Sequence, residues 1–325
     1  METDEVQHSD KRKIDGEWWS FFSRKPWGPI LGAGLHPVSF AYGSVGLVRR
    51  KLYSSRLIPS KRLPCKVISV GNLTVGGTGK TPAVISIART LTAKGLRTAV
   101  ISRGYRGKYT SRTAIVSDGK NLLLGPREAG DEPYMMARAL PSVPVIVGVD
   151  RYNAGMLAWD RFDVQTVILD DGYQQLGLVK DLNILLMSWL STSQELRLLP
   201  RGGLREPLSQ ARRADVILYT SCPEEERGPS HLQPPGETPA FRSRHQTVGL
   251  RRLADQASLP LKEAAGEKVL AFCGIARPRF FLNTLREVGV EVVDFVTYPD
   301  HHHFTSGDLI ELTDRAKKAG AEMII

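Results

Sequence analysis

A glycine-rich turn ending in Gly-Lys-Thr occupies residues 69–82, which read SVGNLTVGGTGKTP. The mainly apolar run at 67–70 predicts a buried strand before the turn, and a helical pattern begins at Pro82. Backbone N–H groups of such a turn surround phosphate oxygens, and the helix N-terminus adds the positive end of its dipole. In this arrangement, called a P-loop, Lys80 reaches the β- and γ-phosphates and the Thr81 hydroxyl ligates Mg²⁺. The sequence therefore predicts that the chain binds a nucleoside triphosphate with Mg²⁺.

The turn departs from the P-loop pattern at one position, because Thr74 stands where the pattern has glycine. The alternative interpretation is a glycine-rich hairpin that binds no ligand. The required order of strand, loop, Lys-Thr and helix favours the P-loop. The residues expected to hold ATP are Thr74, Gly76, Gly77, Thr78, Gly79, Lys80 and Thr81.

Length and cysteine usage indicate a chain of two domains from a reducing compartment. A chain of 325 residues has room for two domains with a core each. The three cysteines are far apart and form no CxxC pair, which is typical of a cytosolic protein. Residues 1–13 are polar and of mixed charge, unlike the start of a signal peptide.

Most of the net charge of +10 lies near the N-terminus, where residues 18–66 contain nine Lys or Arg and no Asp or Glu. Within this stretch, residues 27–48 carry no formal charge and are rich in apolar side chains. A membrane-spanning helix needs roughly 20 mostly apolar residues, and the many glycines and prolines here disfavour one. Nucleic-acid binding is disfavoured because aromatic and basic residues form separate blocks. An ordinary packed helix is a further alternative. We expect a polar tail at 1–26 and a membrane-associated interfacial segment at 27–60.

Apolar strands alternate with helices through residues 61–222, which predicts an α/β fold of the P-loop NTPase type with a mostly parallel sheet covered on both faces. Residues 223–245 are rich in Pro, Glu, Gly and Ser and are expected to be a linker or loop. A second α/β series at 246–325 predicts a smaller C-terminal lobe. Its last strand stops in mid-pattern, so this lobe is expected to be shortened.

Two acidic pairs are candidates for chemistry. Asp170 and Asp171 follow an apolar strand, where a P-loop enzyme places the acid that helps to hold Mg²⁺, although Asp-Gly is also common in turns. Asp131 and Glu132 precede a predicted helix that starts at Tyr134. They are either helix caps, or a general base and a further Mg²⁺ contact.

Two further motifs have both a functional and an ordinary interpretation. The run PDHHH at 299–303 is either an exposed polar loop or the source of a catalytic histidine paired with a carboxylate. No cysteine or second histidine cluster completes a zinc site. In PRGGLREP at 200–207, Arg205 is either a phosphate ligand or a surface charge.

The class of P-loop protein follows partly by exclusion. No Asn-Lys-x-Asp motif for reading guanine occurs in the chain, and Val75 stands where membrane-partitioning ATPases carry a second lysine. A kinase for a membrane-associated acceptor fits these features best. The alternative is a membrane-associated P-loop ATPase that acts as a switch or partner-binding module.

Taken together, these residues resemble the tetraacyldisaccharide 4′-kinase family, the inner-membrane kinases of lipid A synthesis. The resemblance runs from about residue 30 to the end. It is carried by the basic and apolar N-terminal segment and by the motifs GNLTVGGTGKTP (71–82), SRGY (102–105), GDEP (130–133), LDDGYQ (169–174), LREP (204–207) and PDHH (299–302).

The resemblance implies phosphorylation, dependent on ATP and Mg²⁺, of the 4′-hydroxyl of a tetraacyldisaccharide 1-phosphate at the cytoplasmic face of the bacterial inner membrane. Asp131 then looks like the catalytic aspartate, working with His301 and with Lys80. Thr81, Glu132, Asp170 and Asp171 look like the Mg²⁺ set, and Tyr105 and Arg205 like substrate contacts.

Two departures from the family pattern are visible. Gln175 stands where the family usually has histidine, so no role is carried over to it. Many members continue into a Thr-Glu-Lys-Asp stretch at the point where this sequence ends.

Overall fold

The computed structural model describes residues 34–105, 107, 113–193, 195–223, 237–275, 278–300 and 302–325. They fall into two compact units, one within Gly32–His245 and one within Gln246–Ile325.

The larger unit is built on an eight-stranded sheet with the order β3-β4-β2-β5-β1-β6-β7-β8. Neighbouring strands run parallel except for the antiparallel pair β3 and β4. The strands are β1 Lys66–Asn72, β2 Thr98–Ser102, β3 Ala114–Ser117, β4 Val145–Val147, β5 Thr166–Asp170, β6 Leu182–Ser188, β7 Val216–Thr220 and β8 Ala240–Arg242. The predicted mostly parallel sheet is confirmed.

Helices cover both faces of this sheet, and its central strands are mainly apolar and almost entirely buried. Alternate residues of one strand pack on opposite faces, so that Ile168 contacts one core cluster and Val167 the other. The first cluster includes residues of α2 and α4, and the second includes residues of α5. The helices of this unit are α1 His36–Ser54, α2 Lys80–Ala93, α3 Pro126–Ala129, α4 Asp131–Ala139 and α5 Arg151–Phe162, with a 3₁₀ helix at Leu208–Arg213.

Two helices start earlier than predicted. Helix α2 begins at Lys80 rather than Pro82, and α4 begins at Asp131 rather than Tyr134. In each case a proline is the third helical residue. The N–H groups of the first turn have no partner within the helix, so proline is tolerated there and does not mark the first residue. Asp131 therefore belongs to the first turn of a helix.

The segment 223–245, expected to be a linker or loop, contains the edge strand β8. Ala240–Arg242 pairs in parallel with β7, with Leu218 opposite Phe241. The side chains of β8 are exposed, and β8 is the last strand at this edge of the sheet.

Helix α1 lies within the predicted interfacial segment 27–60. Its buried residues are small, Ser39 and Gly43, whereas Val38, Phe40 and Val45 are exposed. In the described residues, no helix is both long and apolar enough to cross a membrane. The polar tail 1–26 and the start of the interfacial segment lie outside the described residues.

The smaller unit is the predicted C-terminal α/β lobe. Its parallel sheet has the order β12-β11-β13, and a short antiparallel pair joins β9 and β10. Leu312 and Ala316 of α7 pack against Leu270 of β11. The elements are β9 Leu250–Arg251, β10 Ser258–Leu259, β11 Lys268–Cys273, α6 Pro278–Val288, β12 Glu291–Thr297, α7 Ser306–Ala319 and β13 Met323–Ile324.

Candidate active site

The P-loop and the acidic doublet lie at the same edge of the large sheet. Strands β1 and β5 are parallel neighbours, with Val70 opposite Asp170. The segments that follow β1 and β5 therefore both leave the sheet at its carboxyl edge, where open α/β sheets bind their ligands. Gly71 and Gly172 allow this close approach, because a Cβ on Gly71 would lie 2.7 Å from the Cβ of Tyr173.

The P-loop backbone leaves room for a ligand. Gly79, the N-cap residue of α2, has a φ of 75° and no side chain caps the helix. Gly76 has a φ of 101°, and a Cβ built on Gly76 or Gly77 would meet no atom within 4 Å. The Thr78 hydroxyl is buried without a hydrogen-bond partner among the described residues. An uncapped helix N-terminus beside open space is suited to phosphate oxygens.

The position of Thr74 explains why it need not be glycine. Thr74 keeps a negative φ and forms an antiparallel bridge with Leu204. The adjacent N–H of Val75 donates to the carbonyl of Gly203 across 2.7 Å. An extended residue in a strand-like pairing tolerates a β-branched side chain, so the departure from the P-loop pattern costs no backbone strain.

The same pairing delivers Arg205 to the acidic doublet. Its backbone N–H donates to the carbonyl of Leu73 across 2.7 Å, and its guanidinium donates to the Asp171 carboxylate across 2.8 Å. On the other side of Asp171, the Lys80 ammonium lies 3.8 Å away. Lys80 also donates to the side-chain oxygen of Asn72 across 3.4 Å. Arg205 thus lies beside the acidic doublet with a carboxylate as its partner, and its predicted contact with the substrate stays a prediction.

The two neighbouring carboxylates have pKa values displaced in opposite directions. Burial, and to a smaller extent the nearby charge of Glu132, raise the pKa of Asp170 to about 6, although a hydrogen bond from Ser102 at 2.8 Å opposes the shift. For Asp171, burial raises the pKa, but Lys80 and Arg205 outweigh it and lower the pKa below its usual value. Asp171 is therefore ionised at neutral pH, whereas the pKa of Asp170 lies much closer to neutral pH.

The donor set at this edge fits Mg²⁺ delivered with a triphosphate. Within the described ranges, no group of three His, Cys, Asp or Glu side chains could hold a metal ion by itself. Mg²⁺ commonly takes only one or two carboxylates and completes its shell with waters and phosphates. Asp170 and Asp171 each have a buried Oδ1 without a hydrogen-bond partner in the described part of the chain. Two such oxygens and the nearby Thr81 hydroxyl are suitable hard donors.

Asp131 and Glu132 lie exposed in the first turn of α4. The N-cap residue is Gly130, so neither acid occupies the capping position. Gly130 has a φ of 92°, and a Cβ there would lie 2.6 Å from the carbonyl oxygen of Tyr105. This close packing places the exposed Tyr105 beside the start of α4.

The histidine cluster belongs to the smaller unit. His301 lies outside the described residues, so its pairing with Asp131 stays a prediction. His302 stacks on Tyr298 with ring centroids 4.6 Å apart, and its Nε2 lies 3.1 Å from Asp308. His302 therefore has a packing role within its own unit.

Sequence reasoning missed Arg151, the first residue of α5. Its side chain is only 3% exposed, one guanidinium nitrogen donates to the carbonyl of Gly148 across 2.6 Å, and Nε has no partner among the described residues. Burial lowers its pKa, and the charges of Asp170 and Asp171 counteract that shift. The buried positive charge of Arg151 therefore offsets part of the negative charge of Asp170 and Asp171. Its only sequence signal is a charged residue directly after a helix N-cap.

Comparisons with known proteins agree on one family. A family model described as tetraacyldisaccharide-1-P 4′-kinase matches residues 31–325. The tetraacyldisaccharide 4′-kinase of Pelobacter propionicus is 43% identical over 90% of this chain and 80% of its own length. That of Syntrophus aciditrophicus is 44% identical over 86% of this chain and 79% of its own length. A crystal structure of LpxK from Aquifex aeolicus in complex with ATP is 38% identical, with a TM-score of 0.71 and coverage of 85% of both chains.

Proposed function

The chain belongs to the tetraacyldisaccharide 4′-kinase family, and we propose that the carboxyl edge of its large sheet is where the reaction takes place. The enzyme transfers a phosphoryl group from ATP to the 4′-hydroxyl of a tetraacyldisaccharide 1-phosphate in lipid A biosynthesis. An ATPase switch without an acceptor, the alternative from the sequence, does not account for this membership.

One observation supports the location of the site above all others. Lys80 and Arg205 contact the two oxygens of one carboxylate, that of Asp171, beside the uncapped start of α2. The triphosphate binds along this edge, with its oxygens on the P-loop N–H groups and on Lys80. Lys80, Arg205 and the N-terminal end of α2 are all positive. They therefore stabilise the negative charge that develops on the transferred phosphoryl group.

The acidic residues of the site divide into two roles. Asp170, Asp171, Glu132 and the Thr81 hydroxyl would hold Mg²⁺, directly or through water. Bound Mg²⁺ neutralises phosphate charge and aligns the triphosphate for in-line attack.

Asp131 accepts the proton of the attacking 4′-hydroxyl. This carboxylate is exposed in the first turn of α4, where an acceptor that arrives from solvent can reach it. His301 is proposed to hydrogen-bond this carboxylate, while Tyr105 and Arg205 contact the sugar.

The acceptor is a lipid, and we place the enzyme peripherally at the cytoplasmic face of the inner membrane. Helix α1 supports this, since its exposed apolar side chains precede three consecutive basic residues, Arg49, Arg50 and Lys51. Such a helix binds at the boundary between headgroups and acyl chains. The exposed apolar residues are Val38, Phe40, Tyr42, Val45, Leu47 and Val48.

A labelling experiment tests the function directly. The purified protein, incubated with γ-labelled ATP, MgCl₂ and a tetraacyldisaccharide 1-phosphate, transfers label to the lipid, as read by thin-layer chromatography. Lys80→Ala abolishes transfer, while Lys94→Ala, at the exposed far end of α2, leaves it intact. Release of inorganic phosphate without labelled lipid would favour the ATPase alternative.

A further inference from the structure

A cavity of ≈ 670 Å³ lies between α1 and the 3₁₀ helix Leu208–Arg213. Four cationic side chains line it, and we refer to it as the basic cavity. It belongs to the larger unit, but none of its lining residues has a role in the reaction proposed above. The cationic residues are Arg50, Lys51, Arg212 and Arg213.

The positive charge of the basic cavity is only partly balanced. Glu206 accepts a hydrogen bond from Arg50 across 3.3 Å and another from Arg213. Arg50 Nη2 and Arg213 Nε are nevertheless buried and have no hydrogen-bond partner in the described part of the chain. Burial lowers the pKa of Arg50, and although Glu206 raises it, Arg213 and Arg212 lower it again. Buried donors without partners are costly, and an anion would satisfy them.

One wall of the basic cavity is apolar. Leu47 and Val48 of α1 line it and are 51% and 60% exposed, and Tyr53 and Leu176 complete the wall. The exposed Val45 continues this apolar surface along α1. A free phosphate ion would leave these side chains in water, whereas an amphiphile with an anionic headgroup would cover them.

The backbone separates the basic cavity from the acidic doublet. Arg205 and Glu206 are consecutive, yet Arg205 contacts Asp171 while Glu206 contacts Arg50. The preceding Leu204 is bridged to Thr74, and the chain bends at Arg205 and Glu206, so these two neighbouring side chains reach different partners. In the described part of the chain, Asp170 contacts Ser102, and Asp171 contacts Lys80 and Arg205. None of these three partners lines the basic cavity.

From these observations we propose that the basic cavity binds the phosphate group of an anionic phospholipid of the bilayer, with its acyl chains lying along the exposed apolar side chains of α1. The substrate also carries a phosphate, but the different partners of Arg205 and Glu206 favour a separate lipid. The inference rests on the proposed membrane location and does not require any residue role at Asp171.

Binding of a short-chain lipid, added as monomers, tests the proposal without vesicles. Dihexanoyl-phosphatidylglycerol titrated into the full chain by calorimetry should saturate a single site. Dihexanoyl-phosphatidylcholine carries the same phosphate but should bind about five-fold more weakly, because the four cationic side chains of the basic cavity repel its choline group. Equal affinity for the two lipids would overturn the proposal. The experiment uses neither ATP nor turnover, so its failure is distinct from a failure of the kinase assignment.

Two variants locate the site. Arg212→Gln should weaken phosphatidylglycerol binding about five-fold, the usual effect of one cation near an anionic lipid. Arg50→Lys keeps the positive charge but removes the unpartnered Nη2, and it should weaken phosphatidylglycerol binding to a similar degree. Lys120→Gln, in an exposed turn after β3, is the matched control and should not change the affinity. Equal affinities for all variants, with unchanged thermal midpoints, would place the lipid elsewhere.

Kinase assays separate the two sources of lipid phosphate. In neutral detergent without phosphatidylglycerol, Arg212→Gln should leave the KM for the disaccharide substrate unchanged. A raised KM under those conditions would assign the basic cavity to the 1-phosphate of the substrate and would overturn the bilayer-lipid assignment.

Discussion

Asp171 accepts a hydrogen bond from Arg205 across 2.8 Å, although 34 residues separate them in the sequence. The contact exists because the backbone beside Arg205 pairs with the first residues of the P-loop. With Lys80 on its other oxygen, Asp171 connects the P-loop to the segment that carries Arg205. A triphosphate bound at the proposed site would meet two cations already held in place, which would reduce the loss of side-chain freedom on binding.

Replacing Asp171 by Asn should remove most of the catalysis. The amide cannot balance Lys80 and Arg205 or serve as an anionic metal ligand, so we expect kcat to fall about a hundred-fold or more, as when a preorganised electrostatic group is lost. Steady-state kinetics with the lipid acceptor measures this. Asp160→Asn, on the exposed side of α5, is the control. Similar kcat values for the two variants would contradict the role of Asp171.

Asp131→Asn should lower kcat sharply with little change in ATP affinity, because the proposed general base would act on the acceptor hydroxyl and not on the nucleotide. We expect a loss of about 100-fold to 10,000-fold, the range for general base catalysis. Nucleotide affinity is measured separately by equilibrium binding. An unchanged turnover would refute the assignment.

The proposed partnership of Asp131 with His301 is tested by a double-mutant cycle. If the two side chains act as a unit, His301→Ala should lower kcat only slightly further in the Asp131→Asn background. Substitutions within one catalytic unit have strongly non-additive effects on kcat. His302→Ala is the matched neighbour, and it should mainly lower the thermal stability since His302 stacks on Tyr298. Additive losses for Asp131 and His301 would show that they act separately.

Asp170→Asn should stabilise the metal-free protein while abolishing activity. A pKa raised from 3.8 to about 6 means that the ionised form destabilises the fold by about 3 kcal/mol at neutral pH. The contribution of the protonated acid to stability is complete below pH 3.8 and is lost as the pH rises through 6. Thermal unfolding in EDTA at pH 7.5 should therefore show a higher midpoint for the variant, and the difference should vanish near pH 4. A lower midpoint at pH 7.5 would contradict the burial argument.

Gly71→Ala and Gly77→Ala should separate folding from nucleotide binding. A Cβ on residue 71 would lie 2.7 Å from Tyr173, so this variant should lose about 1–3 kcal/mol of stability, as in overpacked cores. A Cβ on residue 77 meets no atom within 4 Å, so that variant should fold normally. The added methyl group would project into the space proposed for the phosphates, so the affinity of this variant for ATP should fall. Chemical unfolding and nucleotide binding of both variants provide the measurement.

Stability should rise with pH above neutrality because of Lys180. Burial, with the nearby Arg213, lowers its pKa from 10.5 to about 7, and its ammonium donates to the carbonyl of Tyr173. Between pH 7 and 10.5 the unfolded chain binds more protons than the folded protein, so the free energy of unfolding increases with pH by at most about 1.4 kcal/mol per pH unit. Lys180→Met should flatten the slope between pH 7 and 9 in urea unfolding, and Lys66→Met, an exposed control, should not. Equal slopes in all three proteins would contradict the prediction.

The sequence by itself determined the elements and the family. Strand and helix signals are local, since hydrophobic periodicity and the glycine-rich turn depend on neighbours a few residues apart. The order of β1, P-loop and α2 was therefore predictable, as was the alternation that produces a parallel sheet. Helix starts were less predictable, because Pro82 and Pro133 are compatible with several positions in a first turn.

Only the tertiary structure decided which of these residues meet and what charge they carry. In the sequence, Asp170 and Asp171 are equivalent neighbours. In the structure β5 ends at Asp170, which is buried beside Ser102, whereas Asp171 turns out of the strand with a φ of 51° and lies between two cations. The burial of Arg151 and the pairing of Arg205 with Asp171 depend on contacts between segments far apart in the chain. Periodicity carries no information on such long-range pairing, and solvent exclusion, which sets the pKa of a carboxylate, exists only once the sheet and its helices have assembled.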